Sequence, residues 1–144
     1  LEDFNVEIGK GKIVREGEHV TLVTYGRHVH MVTEVTDRLR EEGISVEVID
    51  MRTLWPYDWD MISTSIRKTK RVIFVNEDTE VSNFGEHLYR RATEEFFYEL
   101  EAKPKLLAGA FVPGVGLADA LEAASVPQLG DIDAAIREIA AVHA

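Results

Sequence analysis

Four short runs of alternating or clustered apolar residues stand out along the chain: HVTLVTY (19–25), ISVEVID (44–50), RVIFVNE (71–77) and PKLLAGA (104–110). They are rich in Val, Ile and Leu and give way to Gly, Asp or Asn, the pattern of buried strands. Helical periodicity fills the intervals. After Gly26, the residues Val29, Val32, Val35 and Leu39 share one face, and Gly43 offers a left-handed stop. Trp59, Ile62 and Ile66 mark a second helix, with Asp58 and Asp60 at its positive end and Arg67 and Lys68 at its negative end. A third opens at NFGE, where Asn83 and Glu86 have capping-box spacing, and continues through Leu88, Ala92, Phe96 and Leu100. A last helix runs from about Asp131 through Ile132, Ile136 and Ile139.

Strands that alternate with helices predict right-handed crossovers and a mostly parallel sheet between helical layers, a three-layer α/β/α fold. GKIVRE (11–16) is a fifth, short strand. Only EGE separates it from the next strand, too little for a crossover, so it is expected to pair antiparallel at an edge. The sheet is therefore expected to be five-stranded, with one antiparallel edge strand.

In such a sheet the loops after the strands' carboxyl ends gather on one rim, where ligands and partners bind. Tyr25-Gly26-Arg27-His28, Asp50 with Arg52, and Asn76-Glu77-Asp78 all fall there. The residue types fit an ion pair, Asp50–Arg52 or Arg52–Glu77, that braces the loop. Pro56 should push Trp55 toward an extended shape and delay the helix, which Asp58 then caps. Trp55 and Tyr57 offer large, stiff surfaces. Core packing is the first expectation for both, and contact with a second subunit the alternative.

Composition narrows the possibilities. With 144 residues, 45% of them hydrophobic, the chain is one domain with enough apolar surface for a core. No apolar run approaches the ~20 residues needed to span a bilayer. Cysteine is absent, which removes disulfides and thiolate chemistry, and a cytoplasmic location is expected. The formal charge of −10 would repel a phosphate backbone and attract a basic protein partner. The opening LEDFNVEIGKGKIVREGEHV lacks a methionine and a clear first element. It reads as a lead-in from something upstream or an artificial truncation, with residues 1–17 the lead-in and edge strand and 18–144 the domain proper.

The motifs that could carry chemistry are weak. GKGK (9–12) lacks the spacing of a phosphate loop and leads into a strand, and without that loop the acids of RVIFVNED have no nucleotide-bound magnesium to hold. GVGLAD (114–119) has two of three fingerprint glycines, follows Val-Pro, and reads as a turn into a short helix. His28 and His30 are two apart and diverge on a helix, and His19, His87 and His143 are scattered. No serine sits in a nucleophile elbow. The residues leave open a stand-alone binding module with a ligand at the rim, and a small independent enzyme using Glu77 or His28 as acid or base.

IVREGEHVTLVTYG, GISVEVIDMRTLWPYDWDMI and KRVIFVNEDTEVSNFGEHL together resemble, in order and spacing, the C-terminal domain of the β subunit of 2-oxo acid dehydrogenases. These are thiamine-diphosphate-dependent enzymes of the transketolase superfamily. The resemblance implies an upstream pyrimidine-binding domain and an α part that between them hold thiamine diphosphate and magnesium. It implies no cofactor or catalytic residue on this chain. It further implies association with a second β part and docking of the basic subunit-binding domain of the acyltransferase. Arg27, His28, Asp50, Arg52, Trp55, Tyr57, Glu77 and Phe84 are then candidate rim or interface residues. Two departures stand out. Ser82-Asn83 replaces the family's usual Gly-Gly before Phe-Gly, which should make left-handed backbone angles harder to reach there. The segment AFVPGVGLADALEAASVPQLGDI resembles the variety in which α and β are fused, which tilts the expected substrate toward a branched-chain 2-oxo acid over pyruvate.

Overall fold

A computed structural model describes residues 5–114, 116 and 118–142. Residues 1–4 of the lead-in, Val115 and Leu117 of the GVGLAD motif, and His143 lie outside them. Strands β1 (Lys12–Arg15), β2 (Val20–Thr24), β3 (Val46–Asp50), β4 (Val72–Thr79) and β5 (Lys105–Gly109) form one sheet in the order β1-β3-β2-β4-β5. β1 runs antiparallel to β3, and the remaining pairs are parallel. The helices are α1 (His28–Glu41), α2 (Trp59–Thr69), α3 (Phe84–Phe96), the short α4 (Asp119–Ser125) and α5 (Leu129–Ala140). The three-layer fold, the five strands and the antiparallel edge all match the expectation. The edge strand joins β3, which separates it from its sequence neighbour β2.

Alternation within each strand divides the core into two layers. Val20, Leu22, Val46, Val48, Ile73 and Val75 meet Val32, Val35 and Leu39 of α1 and Ile132, Ile136 and Ile139 of α5. On the opposite face Val23, Ile49, Val72 and Phe74 meet Ile62 and Ile66 of α2 and Leu88, Ala92 and Phe96 of α3. Because both faces are covered, polar residues of the central strands are buried as well and must be satisfied internally. Thr21 is hydrogen-bonded to both Ser65 and Thr69 on α2, each at 2.7 Å. Glu47, 3% exposed, forms an ion pair with Lys68 and accepts from the Gly17 backbone N–H at 3.3 Å. The alternation V-E-V-I puts this acid on the sheet face opposite Val46 and Val48. The α2 layer covers it, and Lys68 supplies its counter-charge.

The caps follow the sequence signals closely. Asp58 caps α2 by accepting from Met61 N at 3.2 Å, and Lys70 ends that helix in the left-handed conformation. Asn83 caps α3 by accepting from Glu86 N at 3.0 Å, while the Glu86 carboxylate turns back to the N–H of Ser82, one residue earlier than a standard capping box. Ser82 itself has φ +62°. The loop therefore adopts a left-handed angle without glycine, contrary to expectation, because the Glu86 carboxylate holds that N–H in place.

Candidate functional site

The carboxyl ends of β2, β3, β4 and β5 and their loops form the rim. Tyr25 follows β2 and packs edge-on against Phe84 with ring centroids 6.4 Å apart. Burial, with help from Asp78, pushes its hydroxyl above the usual tyrosine range. Gly26 turns the chain at φ +64°, a conformation glycine adopts without strain, and α1 begins two residues later. Arg27 stays exposed and pairs with Glu122 of α4. His28 turns inward and is 1% exposed. Its Nε2–H donates to the Pro127 carbonyl at 3.1 Å, tying the start of α1 to the entry of α5. The structure thus places His28 inside the fold and out of reach of a rim substrate, because the first turn of α1 directs it toward the Val126–Pro127 segment.

The loop after β3 is braced through the main chain. Asp50 Oδ1 accepts from the Arg52 backbone N–H at 3.0 Å, and Arg52 sits at φ +57°. Thr53 Oγ1 donates to the Pro56 carbonyl at 2.8 Å and accepts from Gly9 N at 3.0 Å, so the lead-in clamps the loop. Asp58 extends that clamp, accepting from Gly11 N at 3.2 Å beside its capping bond. The Trp55–Pro56 peptide is cis. Trp55 is 80% exposed, which corrects the expectation that it packs in the core. The tight turn fixed by Asp50 and Thr53 buries Met51 and sends the next large apolar residues, Leu54 and Trp55, outward.

Tyr57 turns the other way and joins a cluster the sequence reading had not assembled. Its ring meets Phe84 at 5.5 Å and His87 at 5.6 Å, both edge-on. Its hydroxyl accepts from Arg91 Nη1 at 2.7 Å and so donates to His87 Nε2, also at 2.7 Å. That donation requires a neutral imidazole with its proton on Nδ1. Burial, then the nearby Arg90 and Arg91, lower the His87 pKa in the same sense. Arg91 also lies over the Trp59 ring at 4.2 Å and bonds Glu95 Oε1 at 2.8 Å, which holds that carboxyl below its usual range. The spacing of His87 and Arg91, one helical turn apart on α3, was the available signal.

Glu77 and Asp78 are exposed at the end of β4. Together with Tyr25, Leu54, Thr79 and Gly109 they line a rim cavity of about 630 Å³. Next to lining residues in the chain stand exposed apolar side chains, Trp55 after Leu54 and Phe111, 68% exposed, between Ala110 and Val112, while Leu121 of α4 is 58% exposed. Among the candidates, Trp55, Tyr57 and Phe84 form a connected set, Asp50 and Arg52 share one loop, Arg27 and Glu77 flank the mouth of α1, and His28 is separated by burial. Among the described residues no three His, Asp or Glu side chains are grouped to hold a metal ion. What the site offers is a firmly braced, partly apolar ledge.

Residues 9–132 match the family described as transketolase, C-terminal domain. The chain belongs to the transketolase C-terminal domain family. This domain is 34% identical over 96% of its length to the 2-oxoisovalerate dehydrogenase subunit beta of Bacillus subtilis, covering 42% of that subunit. It is 40% identical over 90% of its length to the pyruvate dehydrogenase E1 component subunit beta-2, mitochondrial, of Oryza sativa subsp. japonica, covering 34% of it. Among solved structures, a split-gene transketolase described as an inactive beta4 tetramer superposes with a TM-score of 0.82 at 26% identity, over 96% of this chain and 45% of that one. The transketolase C-terminal domain described here thus spans less than half the length of these relatives.

Proposed function

We propose that this chain is the C-terminal domain of the β part of a thiamine-diphosphate-dependent 2-oxo acid dehydrogenase, and that it holds subunits together around a cofactor bound elsewhere. The observation that carries the reading is the rim, where Trp55, 80% exposed, stands on a loop clamped from three sides. An exposed tryptophan on a rigid support has the character of an interface anchor. The likeness to dehydrogenase β subunits supports the enzyme class, and the tetrameric description of the transketolase neighbour supports self-association.

The rim does not fit thiamine diphosphate with magnesium. Among the described residues no three His, Asp or Glu side chains are grouped to hold the metal, and Arg27, one of the rim's cations, is engaged by Glu122. In this reading the upstream pyrimidine-binding domain and the α part hold the cofactor, and the present chain positions them. A second β part meets the apolar rim. The basic subunit-binding domain of the acyltransferase is drawn to the −10 chain, where Phe97 and Tyr98, 63% and 96% exposed, stand near Glu94 and Glu99. The setting is cytoplasmic, and the substrate a branched-chain 2-oxo acid, the choice favoured by the tail segment.

The test uses the assembled α and β parts with Trp55→Asp. Loss of the assembled species in light scattering, with decarboxylation lost alongside, is expected. An intact, fully active assembly would contradict the reading. Relative rates on 2-oxoisovalerate and pyruvate decide the substrate. The rim cavity of about 630 Å³ favours one second reading, a stand-alone ligand-binding module. That reading predicts binding of a small molecule by the isolated chain, weakened by Ala110→Leu at the cavity wall.

A further inference from the structure

The sheet is open on its β5 side. In the order β1-β3-β2-β4-β5 this strand is terminal, and among the described residues its ladder partner is β4 alone. The Gly109 carbonyl accepts from Glu80 N at 2.6 Å on the β4 side. The two-residue alternation of a strand then turns the main-chain groups of Leu106 and Ala108 outward. Along this edge runs a groove of about 1000 Å³ between α3 and α5. Tyr89, Leu107, Ile139 and Val142 supply apolar lining, and Arg90 and Lys103 stand at its margin. Just past the strand the Ala110 N–H is taken by the Ser125 carbonyl at 2.6 Å, so the open stretch is Lys105–Gly109. An edge open over that stretch and framed by two helices is the geometry that accepts an added strand.

Charge decides which strand. The chain carries a formal −10, yet Arg90, Lys103 and Lys105 converge here. Arg90 is held by Glu94 and Lys105 by Glu138, both through exposed carboxylates that an incoming acid can replace. Lys103 is exposed, and among the described residues it has no ion-pair partner. Pairing with β5 of a second copy would crowd these cations against their own copies, and lysines on an edge are a known guard against such self-pairing. Glu86 and Glu138 also line the groove, but Glu86 is turned to the Ser82 N–H and Glu138 to Lys105, so a strand whose carboxylates face Lys103 and Arg90 meets net positive charge, and its alternate apolar side chains can reach Tyr89, Ile139 and Val142.

We propose that the β5 edge groove is a docking site for an extended acidic segment of another polypeptide, which adds a sixth strand beside Lys105–Gly109 and sets its carboxylates against Lys103 and Arg90. This site is separate from the rim and does not depend on the dehydrogenase reading. The test titrates the 144-residue chain with an end-blocked peptide of about six residues alternating glutamate and valine, matched in length to β5. The expected result is saturable binding with at least a ten-fold slowing of hydrogen exchange at Leu106 and Ala108. A matching lysine–valine peptide should not bind. The double variant Arg90→Glu with Lys103→Glu should weaken affinity at least ten-fold while the chain stays folded by circular dichroism. Ala108→Pro, which removes an outward N–H, should weaken it similarly. Failure of the acidic peptide to saturate, unchanged exchange at the edge, or unchanged affinity of the charge-reversed variant would overturn the proposal. Dimerisation of the chain that Ala108→Pro abolishes would overturn it in favour of a second copy.

Discussion

Replacing Trp55 by alanine separates an interface residue from a core residue. Trp55 is 80% exposed, so the isolated domain hides only about a fifth of its surface. A tryptophan presents up to ~250 Å², so roughly 50 Å² is hidden. At ~25 cal/mol per Å² that is worth about 1 kcal/mol. The contact with Tyr57 at 5.9 Å is tilted, so it adds about 0.5 kcal/mol, the low end of the ~0.5–1.5 kcal/mol for aromatic pairs. Trp55→Ala should therefore cost the isolated chain no more than about 2 kcal/mol. Phe96 is the comparison, since it is 1% exposed and packs against Trp59 in the α2–α3 layer. Phe96→Ala should cost about 3–5 kcal/mol, because transfer and cavity terms add. Urea unfolding followed by circular dichroism measures both. In the proposed assembly the ranking reverses in meaning: loss of an anchor worth about 2 kcal/mol should weaken association roughly 30-fold. A Trp55→Ala loss above about 3 kcal/mol in the isolated chain would refute the reasoning, since the residue would then be a core residue.

Further outcomes follow from four sites: Gly17, the Lys68–Glu47 pair, His87 and Ser82. A Cβ on Gly17 would lie 2.1 Å from the Val46 carbonyl carbon and 2.3 Å from Glu47 N, backbone atoms that cannot move aside, so Gly17→Ala should lower stability by about 3 kcal/mol or more, read as the urea midpoint. Lys68→Met strands the buried Glu47 carboxylate and should cost about 3 kcal/mol, the low end for a broken buried pair because Lys68 is partly exposed; adding Glu47→Gln should restore part of the loss. Burial lowers the Lys68 pKa, but Glu47 outweighs it and the net shift is upward, so the pair's contribution is complete below the usual 10.5 and should disappear as pH rises through the higher folded value. His87 is shifted the opposite way, so the unfolded chain binds the extra proton below 6.5; the melting temperature should fall on acidification from there, and His87→Gln should flatten that slope. Ser82→Gly should raise stability by about 0.5–1 kcal/mol by relieving the left-handed angle at φ +62°, and no gain would show that the angle carries no strain.

The layers and helix starts were legible because local signals and global burial agree. Asp58 and Asn83 cap the helices they were expected to cap, and the short EGE link between β1 and β2 sufficed to exclude a parallel crossover. The choice of β3 as the partner of β1 was not legible, since nothing local distinguishes one open edge from another. Glu47 was hidden for a related reason: alternation says which residues share a face, and here both faces are covered. The outward Trp55 and the inward His28 depend on turn geometry, set by Asp50, Thr53 and Gly9 in one case and by the Pro127 carbonyl in the other. Residues 28 and 127 lie 99 positions apart, so no local pattern announces their contact. The Tyr57–His87–Arg91 cluster shows the same limit, joining a loop to a helix thirty residues away.

The central claim is that the chemistry resides outside this chain, which supplies a scaffold and a surface. The most direct measurement mixes the purified 144-residue chain with 2-oxoisovalerate or pyruvate, thiamine diphosphate and magnesium, and follows carbon dioxide release. The account predicts no release above the protein-free blank, and release once the α part and the upstream β domain are supplied. Catalytic release from this chain alone would contradict it.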